Sequence, residues 1–258
     1  MVRSGIEVQR AAVYALFLRE IRTRFGKYRL GYLWAILEPV THMAVLFAIF
    51  GYFMQRTMPD ISFTVFLING LIPYFIFTNI SNRSIKAIEA NSGLFNYRPV
   101  KPIDTVFARM LLEVLIYTVV YIILMTVLAF IGESIDVHQI LVLSLSWFFL
   151  IMFSCGVGLI FMVAGCTIKE MEKFIPILLK PLYFVSCIMF PLHSIPAEYR
   201  SYFLFNPIVH AVELSRESVV DGYSSSGVSI GYLAFCSVSV FFIGLALYRI
   251  NEESMLSS

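Results

Sequence analysis

Residues 140–168 read ILVLSLSWFFLIMFSCGVGLIFMVAGCTI, a run with no Asp, Glu, Lys, Arg or His. A bilayer core about 30 Å thick is crossed by a helix of roughly 20 mostly apolar residues. This run exceeds that length without a charge, so it predicts a transmembrane helix. The rest of the chain has the same character, because 59% of its 258 residues are hydrophobic and 14% are charged. Such a composition excludes an ordinary soluble domain and a disordered chain.

Further apolar runs make the predicted fold all-α, a polytopic membrane protein with six transmembrane helices. The six runs cover approximately residues 33–53, 61–80, 106–131, 140–168, 174–192 and 228–250. Pro176, Pro181 and Pro191 interrupt the fifth run, and a proline inside a helix removes a backbone hydrogen bond. We therefore expect a kinked or broken helix there.

The positions of Lys and Arg predict how these helices are oriented, since short loops that face the cytoplasm are enriched in both residues. The first 32 residues hold seven of them. The segment between the second and third runs holds Arg83, Lys86, Arg98 and Lys101, and the opposite side holds only Arg56, Arg200 and Arg216. We therefore expect both termini in the cytoplasm. Residues 1–32 then form a cytoplasmic interface segment, 33–250 the transmembrane domain and 251–258 a cytoplasmic tail.

The N-terminal segment predicts an amphipathic helix that lies in the membrane interface. Its apolar residues fall on one arc of a helical wheel, which only Arg24 interrupts. They are Val13, Tyr14, Phe17, Leu18, Ile21 and Phe25. An interfacial helix explains both this arc and the arginines around it, and the alternative is a solvated basic tail.

Several motifs of catalysis and ligand binding are absent from the sequence. It has no G-x-x-x-x-G-K-[ST] phosphate loop, no H-E-x-x-H, no Cys/His cluster with metal spacing and no nucleophile elbow. Cys155, Cys166, Cys187 and Cys236 lie in apolar stretches and are expected in the core. We therefore expect no catalytic site, metal or cofactor on this chain. The net charge of +2 gives no indication of nucleic-acid binding.

Four ionisable residues inside the predicted spans are candidates for function, because charges are costly in a bilayer. Glu113 lies four residues after Arg109, so an ion pair within one helix explains both. Lys180 either reaches back to the lipid headgroups or has a functional role. Glu38 and His42 share a helical face, where they either pair with each other or line a polar pathway. A proton-coupled secondary transporter that uses Glu38 and His42 is one function that fits these residues.

The many aromatic residues permit two interpretations. Tyr is common at bilayer interfaces, and aromatic rings also fill packed cores. Alternatively, tyrosines line a channel and offer flat apolar faces with hydroxyl edges to a sugar ring. The residues considered for this role are Tyr52, Tyr74, Tyr117, Tyr121 and Tyr183.

Residues 84–97, between the second and third spans, are too long for a tight turn and predict a docking segment for a soluble partner. Ser84 is positioned to cap a short helix. We expect the apolar residues of this docking segment to enter a cleft on the partner, with Lys86 at the rim. The candidate contact residues are Ile85, Ile88, Glu89, Leu94 and Phe95, and the loop at 169–173 adds Glu170 and Glu172.

Residues 193–227 form the longest segment predicted on the opposite side of the membrane. Asn206-Pro207 combines a capping side chain with a proline at the first helical position, which is a good helix start. We expect a short external helix from there, lying outside the membrane or dipping into its outer leaflet.

Four stretches together resemble a known family. Residues 17–34 read FLREIRTRFGKYRLGYLW and are followed by Glu38-Pro39. Residues 91–99 read NSGLFNYRP, and residues 190–196 read FPLHSIP. In this order and spacing they resemble the membrane subunit of polysaccharide-exporting type-2 ATP-binding-cassette transporters, in particular the bacterial capsular polysaccharide exporters.

The resemblance implies a homodimer in the bacterial inner membrane, bound to two copies of a separate ATPase chain that carries ATP and Mg. It also implies a lipid-linked polysaccharide substrate and periplasmic and outer-membrane export partners. By position, Leu30 and Gly31 match the family's loop near cytoplasmic substrate access, and residues 84–97 match its coupling helix. One departure is Lys169-Glu170-Met171, where many relatives have Arg-Asp followed by an aliphatic residue. The candidate pathway residues are Leu30, Gly31, Trp34, Glu38, His42, Tyr52, Tyr74, Lys180 and Tyr183.

Overall fold

The structure is a computed structural model that describes residues 5–26, 31–53, 62–95, 100–133, 135–223 and 225–257. Within these ranges the chain is almost entirely helical and contains no strand, so the all-α prediction is confirmed. Leu30 and residues 96–97 of the docking segment lie outside the described residues, as does the side chain of Tyr52.

Ten α-helices follow one another in the described part of the chain. They are α1 (Gly5–Phe25), α2 (Trp34–Leu46), α3 (Phe63–Ile85), α4 (Ser92–Phe95), α5 (Pro102–Ile131), α6 (Ile140–Thr167), α7 (Met171–Val185), α8 (Ala197–Leu204), α9 (Pro207–Glu217) and α10 (Ile230–Ser257). A 3-10 turn, Gly31–Leu33, precedes α2, and a π-helical stretch, Phe47–Phe53, continues it.

Four helices in the described residues are long and apolar enough to cross a membrane, namely α3, α5, α6 and the Ile230–Met255 part of α10. They correspond to the second, third, fourth and sixth predicted runs. The first run contains a shorter apolar helix, Ile36–Gly51. The fifth run is not one continuous helix, because α7 ends at Val185. Pro176 and Pro181 lie inside α7 and do not end it, and Pro191 lies beyond its end.

Local capping explains where two of these helices begin and end. α5 starts at Pro102, and the Asp104 carboxylate accepts a hydrogen bond from the Lys101 backbone N–H at 3.0 Å. It ends at Gly132, whose φ of 93° few other residues adopt readily. α9 starts as predicted, because the Asn206 side chain accepts a hydrogen bond from the Ile208 N–H at 3.0 Å.

Helix α3 is the centre of the bundle and packs against α5, α6, α7 and α9. α6 also packs along α10, where two glycines allow the backbones to approach closely. A Cβ added at Gly156 would lie 2.6 Å from the Phe241 backbone nitrogen, and one at Gly244 would lie 2.6 Å from the Gly156 carbonyl oxygen. The Gly156 region is therefore a helix contact.

Helix α9, the short helix expected after Asn206, is packed deep in the protein. Every residue from Ile208 to Arg216 is buried, between α3, α6 and α10. Helix α8, by contrast, has no buried residue. The segment between α7 and α10 thus inserts one helix into the bundle and leaves the other at its surface.

Both ends of the chain lie at the same end of the bundle. Gln9 of α1 donates a hydrogen bond to Asp104 at 3.1 Å, and Lys101 lies 3.5 Å from Glu252 of α10. The docking segment and the loop before α7 are also found here. We call this the basic end, because five of the nine arginines in the described residues lie on α1 and the first turns of α5.

Candidate functional site

Two turns that are far apart in sequence meet at the basic end. Lys86 Nζ of the docking segment lies 2.8 Å from Glu172 Oε2 of α7. A groove of about 360 Å³ opens between the two turns. Its lining residues are Ile85, Ile88, Glu89, Ser92, Gly165, Cys166, Lys169 and Glu172. The structure therefore brings the two predicted contact elements together as one surface.

The local fold of the docking segment differs from the prediction at its start. Ser84 belongs to the last turn of α3, and its hydroxyl donates to the Ile80 carbonyl at 2.7 Å, so it does not cap a new helix. A 3-10 turn, Glu89–Asn91, and the short α4 follow. The predicted cap was wrong because α3 extends one turn beyond its apolar run.

The apolar residues of this segment are divided between the core and the surface. Ile85 and Ile88 are 4% and 6% exposed and pack within the chain itself. A Cβ at Gly165 of α6 would lie 2.5 Å from the Ile85 carbonyl oxygen. Leu94 and Phe95 are half-buried. The two isoleucines therefore support the turn from beneath, which differs from the insertion into a partner that the sequence led us to expect.

The charged contact residues remain at the surface. Glu89 and Glu170 are exposed, and Glu172 is partly shielded by Lys86. The hydrogen bond to Glu172 and its negative charge raise the pKa of Lys86 above its ordinary value. Lys86 is thus fully charged at neutral pH.

Glu113 has different partners from those that its spacing predicted. Arg24 Nη1 and Arg83 Nε lie 2.5 Å and 2.9 Å from its Oε1 atom. Arg109 instead lies 3.3 Å from Glu20 of α1. The predicted pair within α5 was wrong, because helices α1 and α3 bring guanidinium groups directly onto the buried carboxylate.

One face of α2 is exposed beside an open cavity of about 520 Å³. The cavity is lined by Trp34, Leu37, Glu38, Thr41, His42, Val45 and Leu46. No hydrogen bond or salt bridge joins Glu38 to His42 in the described structure. The His42 ring instead meets Phe75 edge-on, with ring centroids 5.3 Å apart, and lies 6.2 Å from Tyr183. Glu38 and His42 therefore lie on one exposed face beside the cavity, and the role of these two residues stays a prediction.

The tyrosines separate into packing and surface residues. The Tyr74 hydroxyl is buried and donates to the Leu179 carbonyl at 2.7 Å. Tyr117 is also buried and accepts from Asn79 at 2.9 Å, while Tyr121 donates to Asn69 at 2.9 Å. Tyr183 is half-buried beside His42. Tyr74, Tyr117 and Tyr121 therefore hold helices together within this chain.

The two further pathway candidates in the described residues are Lys180 and Gly31. Lys180 is exposed on α7, the helix that also carries Tyr183. Gly31 begins the turn before α2 with a φ of 46°, a conformation that favours glycine. Gly31 therefore comes directly before the helix that holds Trp34, Glu38 and His42, and Lys180 lies on α7 with Tyr183.

Sequence reasoning missed a buried ion pair at the opposite end. Arg216 Nη1 lies 2.7 Å from Glu213 Oε1 and also donates to the Cys187 carbonyl at 2.8 Å. Its Nη2 donates to the Ile188 carbonyl at 2.9 Å, and the guanidinium lies over the Phe66 ring. The available signal was the opposite charges three residues apart on a well-capped helix.

The profile of the family described as ABC-2 type transporter matches residues 11–220. The chain belongs to this family. The polysialic acid transport protein KpsM of Escherichia coli is 67% identical over 258 residues, covering all of both chains. The capsule polysaccharide export inner-membrane protein CtrC of Neisseria meningitidis serogroup A / serotype 4A is 30% identical over 243 residues, covering 93% of this chain and 91% of CtrC. BexB of Haemophilus influenzae, with the same description, is 27% identical over 247 residues, covering 96% of this chain and 93% of BexB.

These comparisons confirm the resemblance drawn from the sequence. The chain is a transport permease subunit of an ABC exporter, in which ATP hydrolysis belongs to a separate subunit, and it is not an enzyme. The proton-coupled alternative therefore has no support beyond the positions of Glu38 and His42.

Proposed function

We propose that this chain is the membrane subunit of an ATP-driven exporter that moves a lipid-linked capsular polysaccharide across the bacterial inner membrane. The observation that carries the proposal is the 67% identity to a polysialic acid transport protein over the full length of both chains. Two copies of the chain assemble with two ATPase subunits, which bind ATP and Mg. Periplasmic and outer-membrane export proteins continue the path.

The test of this function combines genetics with purification. Cells that lack the chain are expected to lose surface polymer and to accumulate it inside. The tagged chain is expected to co-purify with an ATPase subunit in equal amount. Normal surface polymer without the chain, or purification of the chain free of any ATPase, contradicts the proposal.

In the membrane, we propose six spans with both termini in the cytoplasm. α2 with its π-helical continuation supplies the first span, and α7 with the segment after it supplies the broken fifth. The arginines of the basic end support this orientation, because positive charge favours the cytoplasmic side. In a variant without the four native cysteines, Ser226→Cys is expected to react with an impermeant thiol reagent in intact cells, whereas Ser92→Cys is protected. Both serines are exposed on this chain; the reverse pattern inverts the topology.

The ATPase contact on this chain consists of the groove and its rim. Glu89, Leu94, Phe95, Glu170 and Glu172 offer the outer surface, and Ile85 and Ile88 support it from the core. Phe95→Ala is expected to lower ATPase co-purification at a normal membrane level. Ile88→Ala is expected to lower the level of folded protein, because deleting a buried Ile side chain costs about 2–5 kcal/mol. If Phe95→Ala binds the ATPase normally, the contact lies elsewhere.

The polymer passes along the exposed face of α2. Trp34, Glu38, His42, Lys180 and Tyr183 line it, and the residues near Leu30 and Gly31 form the cytoplasmic access point, with Tyr52 further along and Tyr74 supporting α7. The second copy closes the path from the other side. Glu38→Gln is expected to reduce export with insertion intact, because removing a charge lowers the cost of insertion. Glu198→Gln on exposed α8 is the matched control, and equal export by both variants argues against this path.

A further inference from the structure

One carboxylate on α5 joins three separate parts of the basic end. Glu113 is 1% exposed, and its Oε1 atom contacts Arg24 of α1 at 2.5 Å and Arg83 of α3 at 2.9 Å. Burial of a carboxylate costs free energy unless the charge is paired, so the loss of either arginine contact is unfavourable. Glu113 therefore ties α1 and the end of α3 to the same point of α5.

Arg109 lies one turn earlier on α5 and contacts the same two elements, α1 and the end of α3, with a positive charge in place of a negative one. Its Nε lies 3.3 Å from Glu20 of α1, and its Nη1 donates to the Arg83 carbonyl. Arg83 is thus held through both its side chain and its main chain. The end of α3 cannot shift relative to α5 without breaking contacts of Glu113 and Arg109 together.

Helix α1 also contacts the docking segment directly. Arg19 donates from Nη1 to the Asn91 side chain and from Nη2 to the Ala90 carbonyl, the latter at 3.2 Å. Asn91 is buried and in turn donates to the Ala87 carbonyl at 2.8 Å. Because the docking segment begins where α3 ends, α1 is fixed at both sides of this junction.

We propose that Glu113 is a positioning residue that makes α1 move together with the docking segment. This role of Glu113 rests on the proposed function, in which the ATPase subunit displaces the docking segment. The Arg24 and Arg83 contacts pass this displacement to α1. Because α1 precedes Gly31 and α2 in the chain, the displacement of α1 then moves α2. The exposed face of α2 holds Glu38 and His42. Glu113 thus connects ATP hydrolysis to the substrate-access side of the exporter.

The main test is Glu113→Gln, which keeps the side-chain size and removes the charge that holds both arginines. We expect the amount of polymer exported per ATP hydrolysed to fall at least about fivefold, the lower end of typical coupling between two sites. ATPase co-purification and hydrolysis are expected to continue. Glu253→Gln, an exposed acid near the end of α10, is the matched control and is expected to keep the normal ratio.

A double-mutant cycle and a covalent rescue separate positioning from simple stability. Arg24→Gln is expected to lower the ratio, and its combination with Glu113→Gln is expected to add little, because both remove the same link. In the cysteine-free background, Arg19→Cys with Asn91→Cys allows a short cleavable bis-thiol reagent to join α1 to the docking segment. This cross-link is expected to restore the ratio of Glu113→Gln, and cleavage is expected to abolish the restoration.

The outcomes are distinct. The positioning role is overturned by any of three results. Glu113→Gln exports the normal amount of polymer per ATP hydrolysed, the losses in the double-mutant cycle are fully multiplicative, or the cross-link forms without restoring the ratio. Lack of an ATPase partner for the unmodified chain overturns the proposed function instead. If Glu113→Gln accumulates poorly, the ratio is measured on the folded complex that remains, because a purely structural defect lowers its amount and leaves its ratio unchanged.

Discussion

At the end of the bundle that holds α9, Arg216 pairs with Glu213 at 2.7 Å, and the two side chains are 0% and 1% exposed. At the basic end, Arg249 pairs with Glu252 at 2.9 Å, and these side chains are 75% and 16% exposed. Both pairs join residues three apart on a helix. The acid comes first in one pair and the base in the other, but spacing and distance are alike, and the largest difference between the pairs is burial.

Burial changes what each pair does. Every polar atom of the Arg216 pair has further partners, because the Cys187 and Ile188 carbonyls take the guanidinium and the Tyr223 hydroxyl donates to Glu213 at 2.8 Å. Such a cluster fixes the end of α7 against α9 and α3. The exposed pair competes with water and contributes little. The α9 end therefore behaves as a fixed block, whereas an exposed charge at the basic end, such as Arg249, can exchange partners.

The largest expected effect is that of Arg216→Ala. Removing one member of a buried pair leaves an uncompensated charge, which costs about 3–5 kcal/mol. Arg249→Ala is the matched control and is expected to cost at most about 1 kcal/mol. The measurement is thermal unfolding of the purified protein in detergent, together with its membrane level.

Similar unfolding of the two variants would show that burial does not distinguish the pairs. Arg216→Lys sharpens the comparison. A lysine keeps the charge but lacks the planar fork that reaches both Cys187 and Ile188, so it is expected to recover only part of the loss.

A smaller effect is expected for Gly156→Ala, which tests how closely α6 packs on α10. The new Cβ would lie 2.6 Å from the Phe241 backbone nitrogen, so α6 and α10 must separate. Overpacking of this kind typically costs about 1–3 kcal/mol. Gly231→Ala near the start of α10 is the control, because its Cβ would meet nothing closer than the Ser229 hydroxyl at 3.6 Å. Equal unfolding temperatures of the two variants contradict a close contact of α6 and α10.

The sequence predicts the long apolar helices well, because their signal is continuous and local. α6 covers Ile140–Thr167 where the run covers 140–168, and Asn206 starts α9 as its side chain predicts. Boundaries set by polar residues are less apparent. α5 begins at Pro102, four residues before its apolar run, because Asp104 caps it. The family could also be recognised from the sequence, because each of its motifs is a contiguous stretch of residues.

Contacts between distant segments could not be predicted in the same way. Arg24 and Glu113 are 89 residues apart, so only the packing of α1 on α5 reveals that they pair. Glu213 and Arg216 are buried because of the carbonyls and the ring around them, and the sequence does not show these partners. The apolar pattern of Ile85 and Ile88 fits a partner's cleft as well as this chain's own core. In each case the residue type is informative, but the partner is not.

The smallest expected effect concerns Lys86 and Glu172, which tests whether an exposed pair at the basic end is weak. Lys86→Gln is expected to change export by less than about twofold, because an exposed pair is offset by solvation. Glu172 raises the pKa of Lys86, so whatever the pair contributes is fully present below the ordinary lysine pKa of about 10.4 and is lost only as pH rises through the higher folded value. The effect of Lys86→Gln on export should therefore be constant between about pH 6 and 8, because this interval lies far below the pKa of lysine. Export measured across this interval checks it, with Lys86→Glu combined with Glu172→Lys as the control that restores the pair. A large loss of export in Lys86→Gln that the exchange restores would mean that this single exposed pair holds α7 to the docking segment, and the contrast between buried and exposed pairs would fail.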